Sequence, residues 1–586
     1  MLALAFLIAC GGGAATAPPA PADTAAPPTA QATPTAEARE VSAPSGPVVP
    51  AGELVVATRD LRSGSGTPRF CTAGCAEHLY LVSIMETLTG AEAGPGGPLD
   101  PKDTPMLAKS WKLDPGLKFM DFELAEGIQF HKGYGVMTAE DVAFSYNDAN
   151  AATTPESIHG QAGDFASLIK GVTPTGPNTV RMEFTQFYSG MPTRYIGPFY
   201  QAAGITSKKA FDELGPDGMR DVFVGTGPFE MVEWRKDERI ITEAVPDHWR
   251  KTPSVKTVRI LDIPEAAGRV AMLETGEAQI AGELPLKDVV RLEGQGFKLN
   301  KDNGHAREQS IMFSGNYWET THPLTKEAVT VQPDFNMPWV GNPADPASME
   351  RARKVRWALA MTIDREGINQ SILEGQGSPS YLNQISVNQA EWQDKWQVPF
   401  DPEQARQMLK EAGYENGFEM TLWVGPSGIV PELGDAIAGL WQSELNVTVN
   451  LERSVYTTFR PGLVQRSTST PWITTGDEGR SGFPVHWPKG LQGSALTTGG
   501  WGLGFQDAKY TEFFLKMANE PDVEKRLTIA DEYFDYVHNQ MLQPGIVEEP
   551  YHPMYNPNEV QEWVLNPNMN SNLSGINNLE SVVLAK

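Results

Sequence analysis

The sequence predicts an α/β protein, and three observations carry that expectation. Short β-branched runs recur along the chain: LVVAT (54–58), KTVRIL (256–261), EMTLWV (419–424) and VTVNLE (447–452). Each has a helical pattern or a turn beside it. At 586 residues the chain is also long enough for several domain-sized units, and no internal repeat divides it.

The chain opens MLALAFLIACGGGAAT. Nine apolar or small residues are too few to cross a hydrocarbon core, which takes about 20 in a helix, but they suffice for the apolar core of an export signal. Leu7-Ile8-Ala9-Cys10 resembles the lipobox of bacterial lipoproteins, which implies cleavage before Cys10 and lipid attachment to its thiol. No Lys or Arg precedes the run, which points to a true start upstream of Met1. From Gly11 to Pro50 there are nine prolines among Ala, Thr and Ser, and too few apolar side chains to build a core. Such a segment reads as an extended spacer of roughly 100 Å. Globular sequence begins near Glu53.

Helical patterns follow in the body. TAEDVAFSYNDAN (138–150) starts with a Thr138/Asp141 capping arrangement ahead of Val142, Phe144 and Tyr146. The longest pattern, 349–375, is expected to break around Asp364. Val355, Leu359 and Ile363 fall on its core face, and Arg356 and Asp364 read as helix-end or interdomain contacts. The segment 401–414 places Pro402 in a first turn and Gly413 at the end. In VGTGPFEMVEW the glycines allow a tight turn and Pro228 sets φ ahead of a strand, while His131 in FHKG reads as part of a turn.

Composition and motifs exclude several function classes. Lys and Arg number 47 against 73 Asp and Glu, a net charge of −26 that repels phosphate backbones, so nucleic acid is not an expected partner. Nine scattered histidines form no HExxH or H-x-H constellation, and there is no G-x-S-x-G elbow. GPGG (94–97) and GWGLG (500–504) lack the Lys-Ser/Thr of a phosphate-binding loop. No enzyme, cofactor or metal is expected. With Cys10 lipidated, Cys71 and Cys75 form a pair able to close a small disulfide outside the cytoplasm. The alternative is a C-x-x-x-C metal site with His78, which lacks further nearby ligands.

Six segments carry a family resemblance. METLTG (85–90), LAKSWKLDPGLKFMDFELAEGIQFHKGYGVMTAEDVAFSY (107–146) and GTGPFEMVEWRKDERIITEAVPDHWR (225–250) are followed in order by LETGEAQIAGELP (273–285), VRWALAMTIDREGI (355–368) and FDPEQARQMLKEAGYENGFEMTL (400–422). Together they resemble the peptide/nickel-binding group of extracytoplasmic solute-binding proteins, components of ABC importers, over about residues 53–545. The resemblance implies a periplasmic-binding-protein-like fold of two α/β lobes with a ligand cleft between them and an extra inserted domain. The boundaries it suggests are a signal peptide at 1–9 and a lipid-anchored linker at 10–52. Lobe I is then expected from 53–75, 206–305 and 545–586, an inserted domain packed on it at 76–205, and lobe II at 306–544.

The resemblance also implies capture of an oligopeptide or similar solute by lobe closure and delivery to ABC permease subunits. The protein would be a monomer on the outer face of a membrane, held by its lipid anchor. In peptide-binding relatives an aspartate in a Trp-containing stretch of the C-terminal lobe holds the peptide amine, and the counterpart here is PWITTGDEGRSGFPVHWP (471–488). Asp477 is the candidate anchor, although the stretch departs from the family's usual pattern. Trp423, Trp472, Trp487 and Trp501 lie in or beside it and are candidate ligand-stacking indoles. The tract 59–78, holding Cys71 and Cys75, reads either as a cleft wall or as a surface loop stapled for stability. Alternatives are a non-peptide solute such as an oligosaccharide, a receptor-like binding module without transport, and a hydrolase on the same scaffold, which no motif supports.

Overall fold

The computed structural model describes residues 48–59, 61, 64–72, 83–90, 105–198, 203–300, 306–321, 326–389, 391–426, 428–476, 502–566 and 575–586. The chain enters with β1 (Ala51–Thr58) and goes on to β2 (Ala108–Leu113), β3 (Phe119–Leu124), helix α1 (Ala139–Ala149), β4 (Ile169–Gly176) and β5 (Thr179–Phe184). Next come β6 (Phe229–Arg235), β7 (Arg239–Ala244), β8 (Val255–Asp262), α2 (Ala266–Thr275), β9 (Ile280–Ala281), α3 (Leu286–Gly294) and β10 (Lys298–Leu299). The second half holds β11 (Ala306–Met312), α4 (Pro346–Met361), α5 (Arg365–Ile372), β12 (Ser378–Pro379), α6 (Pro402–Glu411), β13 (Glu419–Val424), α7 (Val430–Leu445), β14 (Thr448–Arg453), β15 (Trp472–Gly476), β16 (Gly545–Pro550) and β17 (Met554–Tyr555).

These strands make three principal sheets. One has seven strands in the order β10-β17-β9-β1-β8-β7-β6, with β1 parallel to both β8 and β9. A second has six in the order β12-β16-β11-β15-β13-β14, in which β13 is parallel to β14 and β15. The third is the antiparallel set β2-β3-β5-β4, backed by α1. The first and second sheets are the frames of the two lobes, lobe I and lobe II. β16 corrects the expected boundary at 545: it pairs with β11 inside the lobe II sheet, so the chain returns to lobe I only after Pro550.

Local sequence explains the elements that matter for the site. The Thr138 backbone N–H and hydroxyl both donate to Asp141 at 2.8 Å, the reciprocal cap that starts α1. The expected break near Asp364 is real, because its carboxylate accepts from the Gly367 N–H at 2.9 Å and begins α5 as a new helix. Val355, Leu359 and Ile363 are fully buried. Arg356 is neither the helix-end nor the interdomain contact expected from the sequence. It lies inside α4, fully buried, and donates to the carbonyls of Gln540 and Trp339.

The family-like segments interlock around one carboxylate. Glu86 of METLTG accepts from the Thr226 hydroxyl (2.9 Å), the Trp249 indole N–H (2.9 Å) and the Arg250 guanidinium (2.5 Å). Arg250 also grips Glu580 through two bonds of 2.9 and 3.1 Å. Burial opposes the charge on Arg250, but the two carboxylates raise its pKa further. Gly225 and Gly227 are required by close approach: a Cβ on either would sit 2.2 Å from a carbonyl oxygen of Ile84 or Ser83. His131 joins the same knot, with Nε2 2.8 Å from the Gly227 carbonyl. Burial pushes its pKa down to about 4, so it is a neutral donor of structure.

Candidate functional site

In open α/β sheets ligands sit outside the carboxyl ends of the parallel strands. In lobe I those ends are Thr58, Asp262 and Ala281, and in lobe II they are Val424, Arg453 and Gly476. Two connections join the lobes, one from β10 to β11 and one from β16 to β17. Register places both edges against these connections. Gly476 at the end of β15 pairs with Glu308 near the start of β11, and Ala281 at the end of β9 pairs with Met554 at the start of β17. The hinge therefore lies between the carboxyl edges of the two sheets.

Charged and polar side chains meet there. Glu283, two residues past β9, receives both terminal nitrogens of Arg307 of β11, one at 3.3 Å and the other in closer contact. Arg59, just past β1, reaches the same carboxylate at 3.3 Å. Burial works against ionisation, yet the Arg307 guanidinium holds the Glu283 carboxyl down at about 2. The Arg307 guanidinium also lies 4.9 Å from the Tyr551 ring centre. His552 spans the second connection, its two ring nitrogens each 2.7 Å from a carbonyl, those of Pro550 and Leu284.

One step into lobe II, Glu308 is buried among neutral donors. It accepts from the hydroxyls of Ser310 (3.0 Å) and Ser380 (3.1 Å) and from the Gln384 N–H (2.8 Å). Burial outweighs those bonds and pushes its pKa up to about 7. Glu548 lies directly across the ladder and accepts from Ser386 at 2.7 Å. On the neighbouring strand pair, the Thr475 hydroxyl donates to Gln309 at 2.9 Å. The sequence offered no signal for the Glu283–Arg307 pair or the Glu308 network, since their partners are far apart along the chain.

Of the site residues expected from sequence, Asp477, Trp487, Trp501, Cys10 and Cys75 lie outside the described residues. Trp423 and Trp472 are described, and they correct the expectation of open indole faces. Each is only 3 % exposed, and they pair in register across β13 and β15. Trp423 stacks on Phe459 at 4.8 Å and donates to Ser454, while Trp472 donates to the Leu503 carbonyl. Trp472 begins β15, four residues or about 13 Å before its hinge end, which puts it in the core. The tract around Cys71 is bolted to α1: Asp148 accepts from the Thr67 hydroxyl (2.7 Å) and from Arg69 Nε (2.6 Å). Cys71 is buried and disulfide-bonded, which removes its thiol from the alternative metal set. Among the described residues no cluster of three or more His, Cys, Asp or Glu could hold a metal, and no helix is long and apolar enough to cross a membrane.

The family model for bacterial extracellular solute-binding proteins, family 5 Middle, matches residues 103–476. The chain belongs to that family. Among curated members and relatives, this family 5 protein is 26 % identical to heme-binding protein A of Haemophilus influenzae over 343 residues, 55 % of this chain and 56 % of that protein. It is also 26 % identical to the dipeptide-binding protein of Escherichia coli over 339 residues, 55 % of this chain and 57 % of that one. The chain thus spans somewhat more than half the length of the curated relatives it matches. Its fold is that of solved periplasmic binding proteins. DppA of Helicobacter pylori, in complex with peptide STSA, superposes with a TM-score of 0.66 at 19 % identity, covering 91 % of this chain and 98 % of that one. HbpA2 of Haemophilus parasuis gives 0.70 at 18 %, covering 91 % and 100 %.

Proposed function

We propose that this family 5 protein captures a peptide or similar small solute between its lobes and delivers it to the permease of an ABC importer. The observation that carries the reading is the placement of both carboxyl edges against a hinge of two connections, a geometry suited to closure on a ligand. Relatives described as dipeptide-binding, and similar folds solved with STSA and Met-Leu, support peptide as the ligand class. The role in this reading is binding and release without chemistry, in keeping with the solute-binding family to which the chain belongs.

Within this reading, Asp477 receives the ligand's ammonium and Trp487 and Trp501 supply apolar contact, while Trp423 and Trp472 act from behind as a packed platform. The order of the chain supports this, since Asp477 directly follows Gly476 at the hinge end of β15. Cys10 carries the lipid that holds the protein outside the membrane, and Cys71 pairs with Cys75. Calorimetric titration with a mixed dipeptide-to-pentapeptide pool tests the assignment. Asp477→Asn is expected to weaken binding about tenfold or more, the scale of a charge-assisted hydrogen bond. Wild-type affinity in that variant would remove the amine anchor, and binding of oligosaccharide in place of peptide would replace the ligand class.

A further inference from the structure

The ion pair between Glu283 and Arg307 joins the two sheets, between which the chain passes from β10 to β11 and from β16 to β17. Glu283 belongs to lobe I and Arg307 to the strand that enters lobe II, 24 residues later. Both side chains are largely withdrawn from solvent, at 13 % and 22 % exposure, so water screens their attraction less than on an open surface. Both nitrogens of the fork are used, and bidentate geometry is sensitive to angle. Glu283 is also held at φ +53°, a left-handed conformation that a non-glycine residue adopts only where its surroundings impose it.

We propose that Arg307–Glu283 is a hinge latch: it holds the lobes in the arrangement described, breaks when they rotate apart, and so sets the resting balance of open and closed states. The proposal rests on the reading of the protein as one that closes on a solute. Lobe rotation of about 30° moves a group about 7 Å from the axis by about 3–4 Å, more than a hydrogen bond tolerates. The carboxylate is not stranded when the pair parts, because Arg59 contacts it from lobe I itself and travels with it. Release of the latch therefore exchanges a two-cation carboxylate for a one-cation carboxylate, a difference small enough for ligand binding to drive. The second connection keeps its own anchor through His552 and Leu284, so the backbone can pivot while the latch alone changes partner.

The test is the distance distribution between spin labels at Val232 in lobe I and Val455 in lobe II, both exposed, measured by pulsed dipolar spectroscopy on the folded, ligand-free protein. Glu283→Gln and Arg307→Gln are each expected to shift or broaden the distribution by several ångströms. The double variant should match the singles rather than add to them, because both remove one interaction. Arg307→Lys, which keeps the charge but not the fork, is expected to fall between. Circular dichroism establishes that each variant is folded, and Arg307→Lys serves if a glutamine variant is not. Distributions indistinguishable from wild type would overturn the latch. Failure of the closure reading looks different: the wild-type distribution would then stay unchanged on adding a peptide pool that binds by calorimetry.

Discussion

Glu86 on the lobe I side and Glu308 in lobe II are buried to similar depth, 3 % and 8 % exposed, but their surroundings differ in kind. Glu86 meets a guanidinium, an indole N–H and a hydroxyl, and through Arg250 it reaches a second carboxylate, Glu580. Among the described residues Glu308 meets neutral donors: the hydroxyls of Ser310 and Ser380, the Asn383 side-chain amide and the Gln384 backbone N–H. A buried charge is tolerated when paired and hydrogen-bonded, and otherwise tends to take up a proton. Glu86 is thus a fixed pin that locks the segments 85–90 and 225–250 together. Glu308, beside the hinge, is a carboxyl that changes charge near neutral pH.

The largest effect expected is from removing the pin. Glu86→Ala leaves the Arg250 guanidinium with Glu580 alone and opens the knot, at a cost of about 3–5 kcal/mol in urea unfolding. Glu86→Gln, which keeps shape and some hydrogen bonding, should cost clearly less. Equal losses would mean that packing rather than charge holds the knot.

Glu308 should behave in the opposite sense. Its folded pKa of about 7 lies above that of an unfolded glutamate, so the folded state binds the proton more tightly. Its contribution is fully favourable below about pH 4.5 and is lost as pH rises through 7, on the order of 3 kcal/mol. Glu308→Gln is expected to leave stability near pH 4.5 little changed and to raise it by that order at pH 8. His131 contributes the reverse slope, since its folded pKa of about 4 lies below the unfolded value. That stability is present above about pH 6.5 and lost as pH falls toward 4. The two slopes oppose each other, so the Glu308 contribution is read from the difference between variant and wild type rather than from wild type alone. Parallel curves for wild type and Glu308→Gln between pH 4.5 and 8 would contradict the difference drawn between the two glutamates.

A third buried carboxylate gives the smallest effect. Among the described residues the Asp141 carboxylate accepts from Thr138 and from the Lys208 backbone N–H at 2.8 Å, and it does so at the N-terminus of α1, where the helix dipole favours a negative group. Asp141→Asn is expected to cost about 1 kcal/mol in thermal unfolding at neutral pH. A loss as large as that of Glu86→Ala would show that neutral donors at a helix end can match a guanidinium.

What was legible in the sequence was local. The runs 256–261 and 419–424 are strands because β-branched side chains suit a pleated surface, and the breaks at Thr138 and Asp364 are caps written within four residues. What was not legible depended on distance along the chain. Glu86 and Arg250 are 164 positions apart, and nothing in either segment alone shows that they touch. Arg356 reads from sequence as a helix-end or interdomain contact because arginine is seldom fully buried, and only the fold brings the carbonyls of Trp339 and Gln540 to it. Trp423 and Trp472 looked like a binding surface because indoles were dense there, whereas Phe459 covers one of them and both serve as core. The run 545–550 lies in lobe II and not in the lobe I expected from the sequence, because a strand that approaches a hinge carries no mark of which sheet it joins.

Native mass spectrometry of undenatured protein, incubated with a mixed peptide pool before spraying, tests solute capture most directly. The account predicts folded ions carrying one non-covalent adduct of peptide mass, released when the chain is unfolded. Folded ions that bear no solute from purification and gain none from the pool would contradict it.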